Sequence, residues 1–185
     1  MATKLSVYNG ALSILGETPL ASLSEDRSIR YWLDRSWDNG LVDYCLEQGQ
    51  WFWAIRTLQM TYSTSIVPAF GYQYAYEIPS DFKGLNSIWV DAYCQNALGD
   101  YFIEAGIIYC AWDTIYIKYI SNDSNYGNNL ARWPESFSRY VQCRLANLSQ
   151  ASVTNSGVTQ DKIDGFEAKA LLTAKNFDKR SKPRE

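Results

Sequence analysis

The 185-residue chain contains no histidine. That absence excludes Ser-His-Asp and Cys-His nucleophilic catalysis, imidazole acid–base chemistry, and the common zinc, haem and non-haem iron sites. Chemistry built on carboxylates, lysine or tyrosine is what remains. Cysteine is sparse. Cys45, Cys94, Cys110 and Cys143 make no CxxC pair and are expected to be reduced, mostly buried thiols. No metal and no cofactor is expected. No apolar run nears the ~20 residues of a membrane span. The first residues carry no signal-peptide pattern, so synthesis in a reducing cytoplasm is expected. Neither GxxxxGK[ST] nor GxGxxG occurs. The Asn-rich tract 121–129 lacks Gly and Glu where a calcium loop needs them, and reads as a surface loop.

Positive charge is also scarce. There are 17 Lys+Arg against 20 Asp+Glu, for a formal net charge of −3. Residues 1–50 and 51–133 each carry −3, residues 134–174 balance, and residues 175–185 carry +3. An acidic body with one short basic end offers no basic face for reading nucleic acid.

Aromatic residues are abundant: 7 Trp, 14 Tyr and 7 Phe make up 15% of the chain. One small core cannot absorb them all. Tyr and Trp are the usual anchors of protein interfaces, so the surplus points to contact surface.

The hydrophobic pattern divides the chain into three parts. Leu5, Tyr8, Leu12 and Leu15 recur at helical spacing, stopped by Gly16 and Pro19. Ser22 with Glu25, or Ser24, is the expected cap of a second helix. That helix should carry Ile29, Leu33, Trp37, Leu41 and Tyr44 on one side as far as Gly49, with Asp26, Arg30 and Asp34 solvated. Tyr72, Tyr74, Tyr76 and Ile78 alternate with polar or small residues up to Pro79, the period of a strand. Further strands are expected at 85–93, 100–104, 107–112 and 114–120, the last apolar on both faces and hence central. Helix returns with Trp133-Pro134-Glu135, a Pro-led start. Phe137, Val141, Leu145 and Leu148 form its stripe. After a loop at Thr154-Asn155-Ser156-Gly157, a fourth helix aligns Ile163, Phe166, Ala170, Ala174 and Phe177.

The expected class is α+β: a four-helix core formed by the N- and C-terminal segments, with a small antiparallel β-sheet region inserted between them. The parts are 1–56 (N-terminal helices), 57–121 (β region), 122–178 (C-terminal helices) and 179–185 (a flexible basic tail). Glu77, Asp81, Asp91, Glu104 and Asp113 lie in the aromatic β region. They keep open an alternative, a carbohydrate-binding or carboxylate-dependent glycan-cleaving module.

Several strings narrow the choice. Tyr8-Asn9-Gly10-Ala11-Leu12, Leu15-Gly16-Glu17, Leu20-Ala21-Ser22-Leu23-Ser24-Glu25-Asp26, and Leu33-Asp34 with Trp37 come in that order. Trp51, Trp53-Ala54 and Arg56 follow, then Phe70-Gly71-Tyr72, Tyr74-Ala75-Tyr76, Pro79-Ser80-Asp81-Phe82 and Trp133-Pro134-Glu135-Ser136-Phe137. Over roughly residues 5–178 the chain resembles the tail tubular protein A family of bacteriophages, the adaptors between portal and tail. It departs from that pattern at Trp53, where Phe is expected, and at Glu104-Ala105-Gly106, where Glu-Gly-Gly is expected.

The resemblance implies a non-enzymatic structural protein of the virion head–tail junction, a helical bundle with a β extension. It would assemble as a homo-oligomeric ring of roughly twelve copies. Its partners would be the portal protein and the tail nozzle, with DNA passing through the lumen unbound and no membrane involved. Under this reading Lys175, Phe177, Lys179, Arg180, Lys182 and Arg184 are candidates for docking on the portal. Phe70, Tyr72, Tyr74 and Tyr126 are candidates for tail-side or inter-subunit contact, through the 67–70 and Asn-rich loops. Tyr8, Trp37, Trp133 and Phe137 are assigned to packing, and 79–82 to a strand-ending turn.

Overall fold

Thr3 and Ser6 start the first helix by exchanging hydrogen bonds, each hydroxyl accepting the other's backbone N–H (2.8 and 3.1 Å). Helix α1 (Lys4–Leu15) then buries Tyr8, Ala11, Leu12 and Leu15 and ends at Gly16. The computed structural model describes residues 1–152 and 159–181. The loop expected at Thr154-Asn155-Ser156-Gly157, and Lys182, Pro183 and Arg184, lie outside the described residues.

The second helix departs from expectation twice. Neither Ser22 nor Ser24 caps it. The Glu25 carboxylate instead accepts the Ala21 N–H at 2.7 Å, closing a separate turn, and α2 (Ser28–Ser36) begins after Arg27 with no side-chain cap. The linker before it is held elsewhere. The Asn9 amide exchanges two hydrogen bonds with the Leu20 backbone (3.0 and 2.8 Å), and Arg27 donates to the carbonyls of Thr18 and Pro19. The expected single helix to Gly49 is broken by a wide π-type turn over Trp37–Leu41. There Gly40 takes φ 88°, a left-handed conformation that glycine adopts without strain. Helix α3 (Val42–Glu47) resumes on a new bearing, so Tyr44 leaves the buried side and lies exposed beneath the Arg144 guanidinium.

The middle of the chain forms two three-stranded antiparallel sheets where one was expected. The first has the order β1 (Ile55–Thr61), β6 (Thr114–Ser121), β3 (Phe82–Trp89). The second has the order β2 (Tyr74–Glu77), β5 (Ile107–Cys110), β4 (Phe102–Glu104). The central place of β6 is as its two-sided apolarity predicts. Strand β1 was not anticipated.

Helices α4 (Glu135–Ser149) and α5 (Gln160–Ser181) complete the chain. Helix α4 packs against α1, α2 and α5 and is apolar around most of its girth, burying Phe137, Tyr140, Val141, Cys143, Leu145 and Ala146. Leu148, expected on its stripe, is exposed. On α5 only Ile163 and Ala174 of the expected stripe are buried, and Phe166 and Phe177 face outward. Helix α5 also continues through Ser181, so residues 179–181 of the expected flexible tail are helical.

Two apolar cores result. One gathers the five helices; the other fills the space between the sheets around Tyr76, Ile88, Ile108, Ile115, Ile117 and Tyr119. Strand β6 enters both, with Ile120 in the helical core and Ile115 and Ile117 in the other. The fold is α+β. No helix among the described residues is long and apolar enough to cross a membrane.

Candidate interaction surfaces

The resemblance-bearing strings of the two ends of the chain converge inside the helical core, while those at 70–82 belong to the β region. Trp133 stacks on Trp37 (6.3 Å between centroids) and meets Phe137 edge-on at 5.1 Å, while Trp51 and Trp53 lie 5.0 and 4.8 Å from Phe137. Two of the four indoles are satisfied through the backbone, while the Trp53 N–H has no partner among the described residues. The Trp133 indole donates to the Gly127 carbonyl and the Trp51 indole to the Cys45 carbonyl. The Tyr8 hydroxyl donates to Asp34 at 2.8 Å; burial and this carboxylate drive the phenol pKa up. Burial disfavours the Asp34 charge, but the hydrogen bonds from Tyr8 and Lys4 and the charges of Lys4 and Arg30 outweigh it and hold the carboxyl below its usual range. Asp34, expected to be merely solvated, thus ties α2 to α1 through Tyr8 and Lys4, and Arg30, also expected to be solvated, braces it from within α2. The packing assignment of Tyr8, Trp37, Trp133 and Phe137 agrees with this geometry.

The turn at 79–82 does more than end a strand. The Asp81 carboxylate accepts from the Arg56 guanidinium (2.9 Å), the Tyr119 hydroxyl (3.1 Å) and the Ser121 hydroxyl (2.5 Å). It joins the β2–β3 turn to β1 and β6 where the sheets meet the helices. Burial opposes its charge, yet these donors keep its pKa lowered. Asp91 is likewise held low, accepting backbone N–H groups of Asn96, Gln95 and Tyr93. A glycosidase acid needs the opposite shift. Among the described residues no cluster of three or more His, Cys, Asp or Glu is placed to hold a metal ion. Cys45, Cys110 and Cys143 are buried, and burial pushes the Cys45 thiol up to about 12.

The tail-side candidates separate into two places. Phe70 is 55% exposed and lies against Phe102 and Tyr109 on the outer side of the β2-β5-β4 sheet. Tyr72 is beside it, half-buried, donating to Asp100. Tyr74 packs inward on the second core and against Tyr62. Tyr126 is elsewhere, beneath Arg56 at the opposite end of β1. The Asn-rich tract is anchored there too, by Asn122 bonding Asp43 of α3, so it does not share a surface with the 67–70 loop.

The described portal-docking candidates, Lys175, Phe177, Lys179 and Arg180, occupy the last two turns of α5. Phe177, Lys179 and Arg180 are exposed, and Lys175 is half-buried. Asp178, among them, was overlooked by sequence reasoning. It is 6% exposed and its Oδ1 accepts the Phe52 N–H at 2.8 Å, clamping the end of α5 to the entry of β1. Burial raises its pKa, partly offset by that N–H. Two further features also escaped notice. A groove of about 420 Å³ between α4 and α5 is lined by Glu135, Arg139, Cys143, Phe166 and Lys169 among others. On the outer face of the β2-β5-β4 sheet Phe102, Glu77 and Glu104 are exposed and Ile107 and Tyr109 half-buried. Compared with models of known protein families and with curated protein sequences, the chain matches none.

Proposed function

We propose that the protein is a structural ring adaptor of a phage head–tail junction, similar to tail tubular protein A, with no catalytic role. The carrying observation is the placement of its aromatic residues. The resemblance-bearing Tyr8, Trp37, Trp51, Trp133 and Phe137 are absorbed into the helical core. Ten other rings, among them Tyr31, Trp32, Phe70, Tyr93, Phe102, Trp112 and Phe177, stay at least about 38% exposed. A protein that buries such rings only on assembly has a reason to carry them. The carbohydrate alternative draws less support, because two of its five carboxylates are committed to structural hydrogen bonds with lowered pKa values.

In this reading the ring extends the DNA channel, meets the tail nozzle, and docks on the portal through the basic end of α5. Chromatography with mass measurement, with and without purified portal rings, tests it. The expected result is a complex carrying one adaptor ring per portal. Deleting residues 179–185 removes the last turn of α5 and should weaken the complex, more at low salt than at high salt. An unaltered chain of residues 1–185 that never binds portal rings refutes the reading.

A further inference from the structure

We propose that the outer face of the β2-β5-β4 sheet of one copy seats in the α4–α5 groove of a second copy. This deepens the adaptor reading, on which closure into a ring rests. The contact itself follows from the two surfaces.

Register fixes what the sheet presents. Tyr76, Ile108 and Cys110 point into the second core, so the alternate residues take the outer face. There Phe102 and Tyr109 form one row across the strands, ending at the buried Ala75, and Glu104, Ile107 and Glu77 form the next; Phe102 and the two carboxylates are exposed, Tyr109 and Ile107 half-buried. Phe70 leans over the first row. The face is therefore an aromatic row beside an acidic row. No Lys or Arg occurs between Lys83 and Lys118, or between Arg56 and Lys83, so neither carboxylate has a basic neighbour on these strands. Strand β4 is an exposed edge, with Phe102 and Ile103 both in solvent. Such an edge is normally covered or blunted.

The groove is the complement. Phe166 is 49% exposed beside Cys143 and Ala170, an apolar floor. Arg139 and Lys169 stand on its two walls against a single lining carboxylate, Glu135, and neither cation forms an ion pair with a described residue, so the groove is net basic. Glu77 and Glu104 are equally without a cationic partner among the described residues. An aromatic–acidic face and an apolar–basic groove on different parts of one chain make a heterologous, head-to-tail contact. That is the kind that repeats from copy to copy. The occupant of each surface is thus a second copy of this chain.

Charge reversal tests the pairing, read as association constants by sedimentation up to about 1 mM, the limit of a contact worth ~4 kcal/mol. Glu77→Lys with Glu104→Lys, and separately Arg139→Glu with Lys169→Glu, should each weaken self-association about tenfold or more. Mixing the two variants should restore it, since each mutant surface then finds a reversed partner. All four changes in one chain should restore it too. Phe70→Ser should leave the circular dichroism spectrum unchanged and also weaken association. A wild-type chain monomeric throughout, reversals without effect, or reversals that mixing does not rescue would each overturn the interface. None of these bears on binding to portal rings, which tests the adaptor reading separately.

Discussion

Replacing Asp81 by Ala should destabilise the protein by about 3–4 kcal/mol. The change removes the acceptor for three donors at once, and two of them, the hydroxyls of Tyr119 and Ser121, belong to residues with no exposed surface. A hydrogen bond to a charged group contributes about 1.5–3 kcal/mol, and an orphaned buried donor costs about 1–3. Neighbouring losses do not add fully. Arg56, with a third of its side chain in solvent, rehydrates and adds little. For a chain of this length each kcal/mol lowers Tm by roughly 2–4 °C, so about 10 °C should be lost. Asp81→Asn keeps an acceptor and should cost about half as much. The carboxyl titrates below its usual range in the folded protein, so its charge stabilises the fold fully above about pH 4, near the unfolded value. That contribution disappears as pH falls from there through the folded pKa. Urea unfolding at neutral pH and in steps down to about pH 3 reads both effects. A loss below about 1 kcal/mol for Asp81→Ala, or a gap to Asp81→Asn that does not narrow in acid, refutes the reasoning.

Asn9→Ala breaks both bonds to the Leu20 backbone and should cost about 2 kcal/mol by urea titration. Ala105 sits at φ 49° and Gly106 at φ 80° in the two-residue β4–β5 hairpin turn, so Ala105→Gly should relieve left-handed strain and raise stability by about 0.5 kcal/mol after the entropy cost of glycine. Trp53→Phe should be close to neutral in thermal unfolding, because it removes a buried indole N–H that has no hydrogen-bond partner among the described residues. In the proposed ring, roughly twelve copies at −3 each would carry about −36, so DNA binding measured by fluorescence anisotropy should be weak and abolished by physiological salt.

Helical period and terminators made the helices legible. Leu5, Tyr8, Leu12 and Leu15 with Gly16 left little freedom for α1, and the two-sided apolarity of β6 fixed its central place. What escaped reading depended on groups far apart in sequence. Asn9 and Arg27 hold the backbone around Leu20, so Ser22 and Ser24 lose the capping role that their local pattern suggests. Gly40 could have continued a helix at a cost of about 1 kcal/mol, and nothing local says that it turns instead. Strand β1 carries polar residues at Arg56, Thr57 and Gln59, and its pairing is decided by β6, some sixty residues later. Phe166 and Phe177 matched the helical stripe of α5, but that helix meets the rest of the protein on one narrow side. Ala174 and Asp178 occupy that side, so the larger rings turn outward.

The interaction surfaces were half legible for the same reason. Phe70 declared itself as a large ring in a loop, but Glu77 and Glu104 become one row only when β2 and β4 flank β5. Trp53 and Ala105, the two departures from the tail tubular protein A pattern, need no tertiary information to be noticed, and each coincides with a local physical cost. The Phe expected at position 53 would leave no orphaned N–H, and the Gly expected at 105 would carry no left-handed strain. The expected residues at both positions therefore suit this backbone better than the residues present. A backbone matched to glycine at 105 and an unadorned ring at 53 is what a chain that drifted from that pattern should show. If Ala105→Gly and Trp53→Phe both prove destabilising by more than about 1 kcal/mol, the backbone is tuned to the residues it has, and this line of support for the resemblance falls.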